Sequence, residues 1–278
     1  MDISAYECDV IVIAGQSNAE GNGVRPEGVI PAYPRDTYEV IDSNPSYPYF
    51  DEKCGCTMLK VSLPTVCEVR QVQDRVHNGT FRADYGRSFA ADYIAAGMLE
   101  KGRKILLVKA AVGGTGFSNC QWGVDNPLSA RAEQMIKYAL GLNEGNKVKA
   151  ILWHQGEHDS VSSPLFSVED RYDFYRIKYG EQIRHLRKLC GDVPVICGGF
   201  VDDWADRAEH KTASDAVEKA LADVSASLGK SAFVSSDGLK SNDQTVGDGD
   251  IVHFGYYSVL ELGDRYFAAY EKIVKAKK

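Results

Sequence analysis

Residues 10–14 read Val-Ile-Val-Ile-Ala, a continuous apolar run without the polar alternation of a half-exposed strand. Such a run is the mark of a parallel strand covered on both faces. Similar runs recur at 104–110, 148–153, 193–200 and 231–235. Between them lie stretches with apolar positions at helical spacing, at 127–142, 168–190, 206–228 and 256–275. A shorter one starts at Gly86, where Phe89, Tyr93, Ile94, Gly97 and Met98 fall near a common face and Lys101-Gly102 supplies a stop. Alternating strands and helices of these lengths predict right-handed βαβ units, and therefore a three-layer α/β/α fold with a parallel sheet between helices. No repeat or linker interrupts the pattern, so one domain over 1–278 is expected. Residues 24–83 stand apart: rich in Pro, Tyr, Asp and Asn and without a sustained period, they predict a long loop-rich segment, with a short strand at 37–41.

Composition narrows the function classes. With 44% hydrophobic residues in 278, the chain can bury a full core. A net charge of −7 without a basic block argues against nucleic acid, since phosphate binding needs clustered Lys and Arg. No stretch approaches the roughly 20 apolar residues of a membrane span. The amino terminus enters the first strand without a basic region and cleavage site, and the seven cysteines, Cys8, Cys54, Cys56, Cys67, Cys120, Cys190 and Cys197, cannot all pair. A reducing, cytoplasmic setting is expected, unless a signal upstream of this sequence exports the protein. Cys54, Cys56 and Cys67 lack the paired spacing and fourth ligand of a zinc knuckle, so no metal is expected there. Asn78-Gly79-Thr80 matches a glycosylation acceptor, which has meaning only in a secreted protein.

The first strand ends at Gly15-Gln16-Ser17-Asn18. Gly15 can take positive φ or admit another backbone closely, and Ser17 then sits at a strand's carboxyl end, the edge on which open α/β sheets bind ligands. A serine hydroxyl is inert without a base, and the competing explanation is that Ser17 or Asn18 merely caps a helix. Two other strand exits, at 113–116 and 154–159, open on the same edge. The loop before the last helix adds Asp250 and His253, spaced so that the carboxylate can hold one imidazole nitrogen and leave the other facing outward. Gly113 and Gly114 offer unobstructed N–H groups for an oxyanion, and the Gln155 amide can donate toward the same point. A phosphate cradle is disfavoured because Gly-Gly-Thr-Gly-Phe lacks the lysine and spacing of a P-loop. His154, Glu157 and His158 fit the letters of an H-x-x-E-H zinc peptidase, yet that motif must ride on a helix, whereas this one follows a strand and contains glycine.

Taken together, Gly15-Gln16-Ser17-Asn18, Gly113-Gly114-Thr115, Trp153-His154-Gln155-Gly156-Glu157 and Asp250-x-x-His253-Phe254 resemble the blocks of an SGNH-type hydrolase, in its sialate O-acetylesterase and acetylxylan esterase branch of carbohydrate esterases. The resemblance implies a flavodoxin-like five-stranded parallel sheet of order 2-1-3-4-5. It implies Ser17 as nucleophile, His253 as base and Asp250 as its orienter. The oxyanion hole would combine the Ser17 and Gly113 N–H groups with a side-chain amide, asparagine in the wider superfamily and Gln155 here. Glu157 would anchor the loop that carries Gln155. The expected reaction is removal of an O-acetyl group through an acyl-enzyme, without cofactor or metal, from sialic acid, xylan, another sugar or a small ester. Segments 24–83 and 241–249 would rim the pocket and set that preference. A non-catalytic sugar-binding module on the same fold is the alternative from a different class.

Overall fold

The fold is given by a computed structural model that describes residues 2–44, 47–51, 56–60, 65–161 and 167–276. Its central sheet contains β1 (Cys8–Gly15), β2 (Thr37–Asp42), β3 (Cys67–Gln71), β4 (Lys104–Lys109), β5 (Lys147–His154), β6 (Val195–Gly198) and β7 (Ser231–Val234). The spatial order is β7-β6-β5-β1-β4-β2-β3. All neighbours run parallel except β3, which pairs antiparallel with β2 through registers such as Val40 with Val69. Among the described residues the sheet has seven strands where five were expected, the two additional ones both drawn from segment 24–83. β3 escapes a hydrophobic-run search because it is an edge strand: Cys67 and Val69 pack on the core, Glu68 is exposed, and Arg70 pairs with Glu39 across the ladder at 2.7 Å.

The long helices are α1 (Gly86–Ala95), α2 (Pro127–Gly141), α3 (Val168–Cys190), α4 (Lys211–Ser227) and α5 (Tyr256–Lys275). α4 begins five residues later than its expected start at 206; Asp206 instead closes a short helix, Asp202–Ala205. The two faces of β1 divide the helices. Val10, Val12 and Ala14 pack with Met135 and Ile136 of α2, Tyr175 and Ile183 of α3, and Val217 and Leu221 of α4. Ile11 and Ile13 pack with Phe89 and Tyr93 of α1 and Leu262, Tyr266 and Phe267 of α5. Side chains alternate across a strand, so an unbroken apolar run at 10–14 requires two hydrophobic partners, which these helix layers supply. Each fully buried side chain of this size stabilises the fold by about 1.5–3 kcal/mol relative to exposure.

Segment 24–83 also holds an antiparallel ribbon in which Thr80–Ala83 pairs with both Gly23–Val24 and Arg75–His77. The link between its last two strands is Asn78-Gly79, with φ of 48° and 74°, the positive pair that a two-residue type I′ hairpin needs. A further hairpin joins Tyr47–Asp51 to Cys56–Lys60. Cys54 lies outside the described residues. Among the described residues, no helix is long and apolar enough to cross a membrane.

Candidate active site

Every sheet strand but β3 points its carboxyl end toward one rim, and β1 leaves the sheet there through Gly15. That residue has φ of 137°, and a Cβ on it would stand 1.9 Å from the His154 carbonyl oxygen. Only glycine lets the exits of β1 and β5 lie this close. The chain then turns into a short helix, Ser17–Glu20. Beside it opens a pocket of about 580 Å³, lined by Ser17, Gly113, Gly114, Glu157, His158 and His253, with Glu20, Arg75, His77 and Trp204 among the remaining wall residues. All three strand exits and the loop before α5 thus contribute, as their placement along the chain required.

His253 Nδ1 lies 2.8 Å from Asp250 Oδ2 and 3.0 Å from Oδ1. Asp250 also accepts the backbone N–H of His253 at 3.2 Å and the Asn242 side-chain amide at 2.9 Å. Burial alone would raise the pKa of this carboxyl group, but the hydrogen bonds and charge of His253, with the Asn242 amide, outweigh it and hold the value at about 2. The carboxylate is therefore ionised at neutral pH. With Nδ1 engaged, the imidazole's other nitrogen is left for a second partner; His253 and Ser17 border the same pocket.

Gly113 stands against Ser17: a Cβ on the glycine would lie 3.4 Å from Ser17 Cβ, so a side chain there would crowd the serine. The glycine loop is fixed from behind by Asp159, which accepts the N–H groups of Phe117 at 3.0 Å and Ser118 at 2.8 Å. Gln16 and Asn18 bracket the serine. Gln16 Oε1 accepts the His158 N–H at 3.1 Å, tying β1 to the β5 exit. Asn18 donates to Glu157 Oε1 at 2.7 Å and to the Val252 carbonyl at 3.2 Å, and accepts the Phe254 N–H at 3.2 Å. One side chain thus joins three of the four motif blocks.

One sequence expectation changes in detail. The Gln155 amide does not face the pocket. It is fully buried, and its nitrogen has acceptors in Asp159 Oδ2 at 2.7 Å, the Thr115 carbonyl at 3.2 Å and Gln16 Oε1 at 3.3 Å, while its oxygen accepts from Tyr175 at 2.9 Å. Two amide hydrogens are consumed by these partners, so the expected donation to an oxyanion is replaced by a link between β5 and the glycine loop. Glu157 is nearly fully buried, and burial works to raise its pKa, but His154 and the Asn18 hydrogen bond bring it below the ordinary glutamate value. His154 Nε2 approaches Glu157 Oε1 at 3.4 Å without hydrogen-bond alignment, and its Nδ1 meets the Tyr266 hydroxyl at 3.0 Å.

His154 and His158 are not arranged on one helix face. The first ends β5, Gly156 intervenes with φ of 146°, and helix begins only at Glu157. His158 turns its Nε2 to Asn119 at 2.6 Å and borders the pocket. Spacing and period did not reveal Asp159, Glu20 or Asn242; each acts through a partner far along the chain or through a backbone N–H, and Asp159 stands only four residues beyond Gln155.

The arrangement brings together groups that serine-based acyl transfer can use: a serine at a strand exit, a histidine held by a carboxylate, and a glycine N–H alongside. Residues 7–272 match the carbohydrate esterase, sialic acid-specific acetylesterase family, and the chain belongs to it. The sequence resembles the probable 9-O-acetyl-N-acetylneuraminic acid deacetylase of Escherichia coli (strain K12), at 25% identity over 100 residues. That match spans 35% of this chain and about a third, 31%, of the relative. The fold is similar to the crystal structure of NanS, with a TM-score of 0.70 at 18% identity, covering 97% of this chain and 98% of the other. It is also similar to a carbohydrate acetylesterase from Xanthomonas citri, with a TM-score of 0.56 at 18% identity, covering 96% of this chain and 57% of that one.

Proposed function

We propose that this member of the family removes O-acetyl groups from a carbohydrate by way of an acyl-Ser17 intermediate. The observation that carries the reading is the joint presence of Ser17 and His253 on one pocket, with His253 Nδ1 held 2.8 Å from an ionised Asp250. His253 Nε2 takes the Ser17 proton as the hydroxyl oxygen bonds to the acetyl carbon, and Asp250 stabilises the imidazolium that forms. The carbonyl oxygen, now negative, is received by the N–H groups of Ser17 and Gly113. Collapse expels the sugar hydroxyl, which leaves with the proton from His253. Water, deprotonated by the same histidine, then attacks the acyl-serine, and acetate departs. Val112, Val161 and Val252 give the pocket an apolar wall suited to the acetyl methyl group, while Arg75 and His77 offer polar groups to the sugar. Gln155 and Asp159 hold the glycine loop in place, and Glu157 positions the first block through Asn18.

The test is acetate release from O-acetylated sugars, beginning with 9-O-acetyl-N-acetylneuraminic acid because the bacterial relative's name points to it. Acetylated xylo-oligosaccharides serve as the contrasting substrate. Ser17→Ala should abolish release with its melting temperature retained, and a serine-directed phosphonate should label Ser17. Binding of the sugar without hydrolysis, in a protein that also fails to cleave p-nitrophenyl acetate, would favour the non-catalytic sugar-binding module.

A further inference from the structure

The Gly113 N–H is already occupied. Glu20 Oε2 accepts it at 3.2 Å, and Glu20 Oε1 accepts Arg75 Nη1 at 2.9 Å. Arg75 extends the chain of contacts by donating through Nη2 to Asn22 Oδ1 at 2.8 Å, and the Asn22 amide donates to the Ser17 carbonyl at 2.7 Å. Arg75 comes from the strand before the Asn78-Gly79 turn, so the ribbon in segment 24–83 delivers a cation to the rim of the serine site. A Cβ built on Gly113 would stand 3.0 Å from Glu20 Oε2 and 3.4 Å from Ser17 Cβ, which puts the carboxylate oxygen and the serine on the same side of the glycine.

An N–H carries one hydrogen, and a negative oxygen that accepts it marks where a second negative oxygen would sit. If Gly113 receives the oxyanion, as proposed above, Glu20 cannot keep that contact in the transition state, because two anionic oxygens would compete for one hydrogen at close range. The carboxylate has somewhere to go: its side chain is 31% exposed and its other oxygen is tethered to Arg75. The substrate therefore has to displace Glu20 before acyl transfer.

We propose that Glu20 is a specificity-determining residue that covers the Gly113 N–H in the free protein and gives it up to esters whose hydroxylated or anionic sugar part engages Arg75 and His77. A sugar acceptor group that takes hydrogen bonds from Arg75 weakens the hold on Glu20, whereas a bare aryl acetate brings no such group and meets the covered N–H unaided. The inference rests on the assignment of Ser17 and Gly113 in the preceding section. It adds a barrier to that site which discriminates against simple acetate esters.

The experiment compares the unmodified protein with Glu20→Ala and Glu20→Gln, using p-nitrophenyl acetate and an O-acetylated N-acetylneuraminic acid, with thermal unfolding as the control for folding. A hydrogen bond to a charged group is worth about tenfold or more in an equilibrium constant, so Glu20→Ala should raise kcat/KM for p-nitrophenyl acetate by about that factor and narrow the preference for the sugar ester. Glu20→Gln keeps a neutral acceptor oxygen and should fall between; if the alanine variant does not fold, this variant carries the test with the same sign. Acetate ion should also inhibit Glu20→Ala at lower concentration, since the vacated N–H can receive it. An unchanged or lower kcat/KM for the aryl ester in the folded variants overturns the assignment of Glu20. An active Ser17→Ala would instead overturn the underlying assignment of the nucleophile, so the two failures are distinct.

Discussion

Asp250→Asn changes one atom of the site and probes its most specific claim. In the native arrangement Asp250 presents two acceptor oxygens to His253 Nδ1, at 2.8 and 3.0 Å, and Nδ1 must carry the proton to meet them. That leaves Nε2 unprotonated and able to take a proton from Ser17. An asparagine here has one acceptor and one donor group, and Asn242, which now donates to Oδ2 at 2.9 Å, keeps the oxygen at that place, where it still lies 2.8 Å from Nδ1. The new NH₂ group takes the Oδ1 place, 3.0 Å from Nδ1; with the charge gone and a donor beside that nitrogen, the hold on the Nδ1–H tautomer weakens and the form with the proton on Nε2, which has no basic lone pair toward the serine, is populated. Loss of a triad acid in this way can cost roughly 10⁴ in kcat. A stability term accompanies it. The native pKa of about 2 lies below the ordinary 3.8, so the ionised carboxylate stabilises the fold above the ordinary value, and that contribution disappears as pH falls from about 4 to 2. The shift corresponds to about 2 kcal/mol at most, because 22% of the side chain is exposed to screening solvent. The matched control is Glu157→Gln: Glu157 meets Asn18 and His154 rather than His253, so this change should lower the melting temperature while costing much less than 10⁴ in kcat/KM. Steady-state kinetics at pH 7 and thermal unfolding of both variants decide the matter. If the glutamine variant is the dead and stably folded one, the orientation of His253 by Asp250 is wrong.

Three further outcomes follow from contacts in the same structure. Gln155→Ala should lower kcat less than tenfold and reduce the melting temperature, since its amide links buried groups; a loss of about 10²–10³ at unchanged stability would restore an oxyanion-donor role. Asp159→Asn should loosen the 113–118 loop, depressing kcat more than it raises KM, with faster amide hydrogen exchange at Phe117 and Ser118; unchanged exchange would show that the carboxylate does not hold the loop. Burial raises the Glu218 pKa from 4.5 to about 7 against the opposing hydrogen bond from the Phe200 N–H, so the native state holds a proton that the unfolded chain releases and stability falls as pH rises from about 4.5 to 7. Glu218→Gln should flatten that decline and gain up to about 3 kcal/mol at pH 8 in denaturant titrations, and a gain at pH 4 instead would contradict the assignment.

The hydrophobic runs revealed those strands whose burial comes from two helix layers, because β1 and its neighbours carry apolar residues on both faces and need no further context. β3 was illegible by the same rule: an edge strand with one half-exposed face contributes only Cys67 and Val69 to the core. The Asn78-Gly79 pair held more than was drawn from it, since its two positive φ values close the ribbon that brings Arg75 and His77 to the pocket. Site residues close to one another in sequence, such as Asp250 and His253, were readable because a three-residue loop leaves a carboxylate and an imidazole few other places to go.

The direction of the Gln155 side chain shows where such reading ends. Its position at a strand exit is a property of the chain, and it follows from the apolar run that precedes it. Its orientation is a property of the surroundings: Gly156, at φ of 146°, reverses the backbone, and a Cβ at that point would meet Phe200 at 2.6 Å and Val217 at 2.8 Å, groups contributed by the β6 exit and α4. Helix begins at once, Asp159 returns four residues later on the same side, and a carboxylate with two loop N–H groups already bound competes for the amide at 2.7 Å. A charged acceptor in a dry interior outweighs a transient oxyanion that exists only during turnover. The same logic separates Glu20 from Asp250. Both are carboxylates beside the pocket, but Asp250 is tied to a histidine and a buried amide, whereas Glu20 is tied to a partly exposed arginine and to the backbone N–H to which the oxyanion role is assigned. A group held by what the reaction needs must move each time the reaction occurs, and its partners, 55 and 93 residues away, are visible only once the chain is folded.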